Sequence, residues 1–303
     1  LKLAQELKEM GTLFILLTGG EPLLYPHIKE LYQELKKMGF IITLNTNGTC
    51  ITEEIAQLFH EYRPRRVNVT LYGASRETYE KLCHRSDSFD QCMNGIRLLR
   101  QYNIDTKLNV SVVKENKHEF NEILAIGDRF GIPSDVNSYM FPYSRSVRNR
   151  MKTNNTRLNA KECGQYDVSY LKYKYKNEFY TVASNALKEA EETVPYRDEM
   201  VITCRAGKSS AWINWQGTMT PCVMMEYPAI NLEEVSAKEA WNSLGKMITK
   251  LPTHSDCKGC KLWKLCQACY AAVSLEKQHY GDISYLCKFT QCKYDLLKQL
   301  INK

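Results

Sequence analysis

The sequence predicts an α/β chain: a parallel sheet with crossover helices, followed by a small cysteine-rich domain. Three observations carry this. Short apolar runs alternate with segments of helical periodicity from Leu1 to Met140. Each run ends in a polar or glycine-bearing loop. Eight of the twelve cysteines lie between Cys204 and Cys292. Strands alternating with helices give a parallel sheet with right-handed crossovers. Five strands are legible. A sixth before Leu1 would make either a partial barrel or an open doubly wound sheet, and periodicity does not separate the two.

In chain order, Leu1 to Gly11 reads as the tail of a helix. The first residue is Leu1, not Met, and the strand that should precede this helix is missing. The expectation is a lost N-terminus, with a lost targeting segment left open. Leu13 to Leu17 (L-F-I-L-L) is an unbroken apolar run, the mark of a strand buried on both faces. Thr18-Gly19-Gly20-Glu21-Pro22 comes next. Pro26 then opens a helix with Ile28, Leu31, Leu35 and Met38 on one face, closed by Gly39. Ile41 to Asn45 is the next strand, leading to Thr46-Asn47-Gly48. Thr52 caps a helix carrying Ile55, Leu58 and Phe59. Val67 to Leu71 runs into Tyr72-Gly73-Ala74-Ser75. Ser88 with Gln91 reads as a capping box before Cys92, Ile96 and Leu99. Lys107 to Val113 is a strand. Asn116 with Glu119 caps the helix of Phe120, Ile123, Leu124 and Phe130, and Val136 to Met140 is the fifth strand.

Residues 1–142 therefore form the β/α domain. Residues 143–200 are rich in Lys, Arg, Asn and Tyr and are expected to be a linker of solvated bridging helices, one or two within Asn159 to Glu192. No nucleic-acid-binding motif accompanies them, so no nucleic-acid partner is expected. Residues 201–303 form the cysteine-rich domain, with short strands near Ala211 to Trp215 and Met219 to Val223 around a Gln216-Gly217 turn.

Composition narrows the class. An apolar content of 44% supports a real core, and no long apolar run suggests a membrane span. The net charge of +7 is dispersed and reads as a solvated surface. Disulfide-dense scaffolds are usually small, whereas these cysteines cluster behind an ordinary α/β core. That points to metal or Fe–S ligation in a reducing, cytoplasmic compartment.

Function in a parallel β/α fold sits in the loops at the C-terminal strand ends. Those loops are Thr18 to Pro22, Thr46 to Gly48, Tyr72 to Ser75, Lys114 to Asn116, and Phe141 to Arg145. Gly19-Gly20 lets backbone approach a ligand closely. Glu21 holds either an ammonium group or the fold itself, and G-G-E-P alone also reads as a turn. The stronger signal is Cys257 to Cys269, with cysteines spaced C-x2-C-x5-C-x2-C. Zinc ribbons separate two such knuckles by about 15 to 20 residues. The short gap here, with Cys204, Cys222 and Cys287 also to be satisfied, favours Fe–S clusters, with zinc as the alternative. Cys50, Cys83 and Cys92 read as inert thiols. The six histidines lack metal-binding spacing.

G-G-E-P after an apolar strand, together with Cys204-x12-Gly217-x4-Cys222, the cysteine knot and Cys287, resembles the radical SAM enzymes that carry a C-terminal SPASM domain. The resemblance covers nearly the whole chain. The knot departs from the family pattern by one residue before Cys269.

That resemblance implies a partial (β/α)6 barrel, its first strand missing here, followed by a SPASM domain with two auxiliary 4Fe–4S clusters. It implies that Cys257, Cys260, Cys266 and Cys287 hold the distal cluster. By the same likeness Cys204, Cys222 and Cys269 hold the nearer one, with Cys163 as a possible filler or the position open to substrate. Cys292 is a spare ligand or a surface thiol. Gly19, Gly20, Glu21, Pro22, Asn47, Thr70 and Asn109 are implied to face S-adenosylmethionine (SAM). No C-x3-C-x2-C appears, so the ligands of the SAM-binding cluster are expected ahead of Leu1 and this stretch alone is expected to be inactive. The implied activity is a 5′-deoxyadenosyl radical acting on a peptide or protein to form a thioether or carbon–carbon crosslink, with flavodoxin or ferredoxin as electron donor. The alternatives are formylglycine formation in sulfatases and a non-enzymatic Fe–S or zinc module.

Overall fold

A computed structural model describes residues 1–142, 156–191, 201–266 and 268–302. These fall into two compact units, Leu1–Asn137 and Ser138–Lys303.

The first unit runs α1 (Lys2–Glu9), β1 (Phe14–Leu17), α2 (Ile28–Lys37), β2 (Ile41–Thr46), α3 (Glu53–Glu61), β3 (Arg66–Thr70), α4 (Arg76–Cys83), α5 (Asp87–Gln101), β4 (Thr106–Ser111), α6 (Phe120–Phe130) and β5 (Ser134–Asn137). All five strands are parallel and lie in sequence order. Each apolar run expected to be a strand overlaps one, the last being Ser134–Asn137 rather than Val136 to Met140. Local signals explain the boundaries. Thr52 Oγ1 accepts from Ile55 N at 3.3 Å and starts α3. Gly39 and Gly131 take positive φ and stop α2 and α6.

The helices cover one face of the sheet. Ile42, Leu44, Val67, Val69 and Leu108 are fully buried on it. Alternation sends Asn45, Asn68, Thr70, Lys107, Asn109 and Asp135 to the other face. Register pairs Asn45 with Asn68 and Asn68 with Lys107, then Thr70 with Asn109 and Asn109 with Asp135. The first strand corrects an expectation. Leu13, Phe14 and Leu16 are 61%, 57% and 47% exposed, so this run is not buried on both faces. β1 is an edge strand, paired on one side only, and the helices cover only one of its faces.

Two capping expectations are also corrected. α5 begins at Asp87, before Ser88, and Gln91 bonds Asp87 rather than completing a capping box. Asn116 and Glu119 do not cap α6. Asn116 accepts from Val113 N and donates to the carbonyls of Tyr72 and Ser111. Glu119 accepts from Ala74 N at 2.6 Å and from Ser75 Oγ. Both side chains tie one strand-end loop to another.

The second unit holds α7 (Ala160–Tyr175), α8 (Phe179–Glu191), β6 (Trp212–Ile213), β7 (Thr218–Thr220), β8 (Ile230–Asn231), α9 (Ala237–Ile248), α10 (Tyr270–Tyr280) and α11 (Ser284–Ile301). β6, β7 and β8 form a small antiparallel sheet, with Gly217 at φ +74° in the first turn. The expected linker of solvated bridging helices is corrected for 156–191. Val168 of α7 and Phe179, Ala183, Leu187 and Ala190 of α8 pack with Leu297 of α11 in one apolar core. Lysines on these helices conceal that stripe in the composition. The rest of that stretch, 143–155 and 192–200, lies outside the described residues. Among the described residues no helix is long and apolar enough to cross a membrane.

A buried ion pair organises this unit. The Arg157 guanidinium meets the Glu276 carboxylate, the two residues being 7% and 1% exposed. Tyr139 OH donates to Glu276 at 2.9 Å, and the guanidinium stacks on Tyr285 at 3.5 Å. Breaking one half of such a pair strands a buried charge, whereas replacing both halves with apolar groups is often tolerated. Arg157→Met is therefore expected to lower unfolding free energy by about 3 kcal/mol, and Arg157→Met with Glu276→Leu by clearly less. Urea unfolding followed by tryptophan fluorescence measures both. An unchanged midpoint in the single variant would remove the pair from this role.

Candidate functional site

The candidate residues gather in two places, one in each unit. In the first, the loop after β1 is built on Glu21. Its carboxylate accepts from Leu23 N at 3.1 Å, Thr46 Oγ1 at 2.8 Å and Asn47 N at 2.7 Å. Thr46 Oγ1 in turn accepts from Gly48 N at 3.0 Å, and Asn47 Oδ1 accepts from the N and Oγ1 of Thr49 at 2.9 and 2.7 Å. Of the two roles open to Glu21, the structure shows the structural one: it locks the end of β1 to the end of β2.

That lock leaves Gly19 and Gly20 exposed. A Cβ added at either would meet no atom within 4 Å. Gly48 is different. Its φ is +79°, and an added Cβ would lie 2.9 Å from Val69 and 3.2 Å from the Cys92 sulfur. Cys92 is fully buried, which pushes its thiol up to about 11, as an inert core thiol requires. Thr70 and Asn109 stand as register neighbours on the uncovered sheet face.

One row nearer the strand starts lie residues that rim-loop reasoning passes over. Asn68 Nδ2 donates to Asn45 Oδ1 at 2.7 Å in that row, and its Lys107 Nζ reaches Asp135 Oδ2, in the Thr70–Asn109 row, at 2.9 Å. Their signal is the period-two polarity of T-L-N-T, V-N-V-T and K-L-N-V-S.

In the second unit, Cys257, Cys260, Cys266, Cys269 and Cys287 line one cavity of about 780 Å³. Local turns present them. Cys257 ends a short 3-10 turn, Cys260 N bonds Cys257 O, and Cys266 N bonds Leu262 O at 2.9 Å. Cys269 is the N-cap of α10, and Cys287 lies in the first turn of α11. Burial and then the charges of Cys266, Cys287 and Cys260 push the Cys257 thiol up to about 11. Cys222 is raised by burial and by Cys269 and Cys204, while the amides of Met224 and Met225 oppose that shift.

The two remaining candidates stand elsewhere. Cys163 is fully buried and its sulfur donates to Ser138 Oγ at 3.4 Å. Burial pushes it up to about 11, and no other cysteine contributes to that shift. Cys292 is half-buried and donates to Lys161 O at 3.4 Å. It packs at the point where α11 meets Gly164 of α7, whose added Cβ would stand 3.0 Å from it. The structure gives both thiols packing roles.

Among the described residues, no three His, Cys, Asp or Glu converge as the ligands of one ion. A 4Fe–4S cube instead takes one thiolate at each of four irons, so it needs sulfurs arranged around a volume. Cysteines spread over the wall of one cavity fit that demand.

Residues 1–126 match the Radical SAM superfamily, and residues 204–270 match SPASM, an iron-sulfur cluster-binding domain. The AdoMet-dependent heme synthase of Nitratidesulfovibrio vulgaris is 23% identical over 299 residues, covering 93% of this chain and 80% of that protein. Among solved structures, native anSMEcpe with bound AdoMet and a Cp18Cys peptide has a TM-score of 0.66 at 17% identity, covering 99% of this chain and 91% of its own. Streptococcus suis SuiB has a TM-score of 0.68 at 18% identity, covering 94% of this chain and 69% of its own.

Hydrogen bonds to a charged group are worth about 1.5–3 kcal/mol each when one partner is removed. Glu21→Ala is expected to cost about 2 kcal/mol or more in chemical denaturation. Thr46→Val should cost much less in the Glu21→Ala background than in the wild-type chain, since both act through one bond. Strict additivity of the two would place Glu21 outside the lock.

Proposed function

We propose, for a chain that belongs to the radical SAM enzymes with a C-terminal SPASM domain, that it serves to modify a peptide or protein, forming a thioether or carbon–carbon crosslink. Those two domains imply SAM and iron–sulfur clusters as cofactors. SAM with a reduced 4Fe–4S cluster, whose C-x3-C-x2-C ligands are not among these residues, would supply a 5′-deoxyadenosyl radical for hydrogen abstraction. The chain itself binds, orients and excludes water.

In this reading the exposed backbone of Gly19 and Gly20, with Pro22, receives the methionyl end of SAM. Glu21 positions that backbone from behind. Thr70, Asn109 and Asn47 offer hydrogen bonds from the neighbouring strand ends. Cys257, Cys260, Cys266 and Cys287 hold one auxiliary cluster, and Cys204, Cys222 and Cys269 hold another. A flavodoxin or ferredoxin donates the electrons.

The observation that carries the peptide reading is the shortfall of thiols in the second set. Cys163 donates to Ser138 and Cys292 packs against Gly164, so neither supports a fourth ligand. An iron without a protein thiolate suits a substrate cysteine. A second reading has its own support: the 23% identity across 93% of the chain with a protein named heme synthase favours a tetrapyrrole substrate.

Anaerobic reconstitution of the chain tests the cluster assignment. About eight irons per chain are expected for two 4Fe–4S clusters. Cys257→Ser should lose about four, and Cys163→Ser or Cys292→Ser none. A colourless, zinc-loaded protein would sink the assignment. Gly20→Ala tests the SAM loop separately: its unfolding midpoint should match wild type, because nothing crowds the new methyl, while SAM affinity falls. Unchanged SAM affinity would remove Gly20 from the site.

A further inference from the structure

We propose that the first unit carries a second site, for a phosphate dianion, at the N-terminal ends of β3, β4 and β5. Three loops meet there, each leading from a helix into a strand. They enclose a cavity of about 250 Å³ whose wall includes Arg63, Arg100, Asn103, Asp105 and Gly131. It lies at the end of the sheet opposite Gly20, Asn47 and Thr70, so it owes nothing to the SAM reading.

Two helix ends shape the cavity. Asn103 takes a left-handed conformation, φ +55°, and its N bonds Arg100 O at 3.0 Å. This tight helix end turns the Asn103 carbonyl toward Arg63, whose Nη1 donates to it at 3.0 Å. The bond fixes the guanidinium and leaves its other donors free. Gly131, at φ +62°, closes the opposite wall. A Cβ there would lie 3.8 Å from Arg100 Nη2, so the second guanidinium rests against this turn.

Charge then decides the ligand. The Arg100 side chain makes no hydrogen bond or ion pair among the described residues. The carboxylate on the wall, Asp105, is already held by Arg66 through Nε at 3.2 and 3.1 Å and Nη2 at 3.0 Å. Two guanidiniums therefore share one small cavity with no uncommitted anion. A guanidinium is planar and presents paired N–H groups that match phosphate oxygens two at a time. Asn103 adds an amide donor on the same wall. The geometry is that of a compact, doubly charged oxyanion site, either orthophosphate or the terminal group of a phosphate monoester.

Isothermal titration of the full chain at fixed ionic strength tests this, with inorganic phosphate in one arm and AMP in the other. Saturable binding is expected, stronger at about pH 7.5 than at about pH 5.5 because the ligand gains its second charge near pH 6 to 7. Arg100→Gln and Arg63→Gln should each weaken it at least tenfold, and Arg100→Lys should weaken it less than Arg100→Gln. Arg100→Gln should keep the wild-type thermal midpoint in ligand-free buffer, since that side chain has no protein partner to lose. Tighter binding of AMP identifies a phosphate monoester as the ligand, and binding of orthophosphate alone identifies the free ion. No saturable heat in either arm, or full affinity retained in both Gln variants, overturns the proposal.

Discussion

The first unit depends on what the Glu21 carboxylate does. A glycine pair at a strand end has no side chains with which to hold its own shape, and its usefulness lies in that bareness. Something outside the pair must fix it. Glu21 does so by accepting from the amides of Leu23 and Asn47 and from the Thr46 hydroxyl, so two strand ends share one anion. The loop can then be both open to a ligand and conformationally set. The same device recurs two strands away, where Glu119 and Asn116 tie Tyr72 to Ser75 and Ser111 to Val113 into one rim. Carboxylates and side-chain amides lace the rim together.

The sheet explains which parts of this were legible in the sequence. Strand existence followed from apolar runs, and Ile42, Leu44, Val67, Val69 and Leu108 lie on the covered face as such runs demand. What the runs did not reveal was sidedness. L-F-I-L-L reads the same whether both faces are covered or one, because coverage is set by what packs on the sheet and not by the segment. The alternation in V-N-V-T was the better guide, since a polar residue at every second position declares an uncovered face. The capping expectations failed for a related reason. Asn and Glu three apart satisfy the local pattern at Asn116, yet both side chains find stronger use across the rim, and tertiary partners outcompete a local cap.

In the second unit the knot of cysteines was legible from spacing, and the structure lines one cavity with five of them. The helices before it were misjudged. Lysines and tyrosines made 156–191 resemble a solvated bridge, because a helix needs only one apolar stripe to be buried and composition averages over all its faces. Val168, Phe179, Ala183 and Leu187 supply that stripe. The Arg157–Glu276 pair was invisible for a different reason. Residues 119 positions apart meet only after α10 and α11 are in place, and nothing in either segment announces a buried charge.

Cys163 shows how burial divides cysteines of one chain into two kinds. Its sulfur is sealed from solvent, bonded to Ser138 and beside Tyr285 and Arg157, and burial holds it as a thiol. A ligand must be a thiolate when it meets iron. Taking Cys163 for that role would require breaking the packing that positions Arg157, and with it the pair on Glu276 in α10. Cys269 is the N-cap of that helix. Recruiting the buried thiol would thus disturb the element that presents an exposed one. The structure thus holds Cys163 as a core thiol of the second unit.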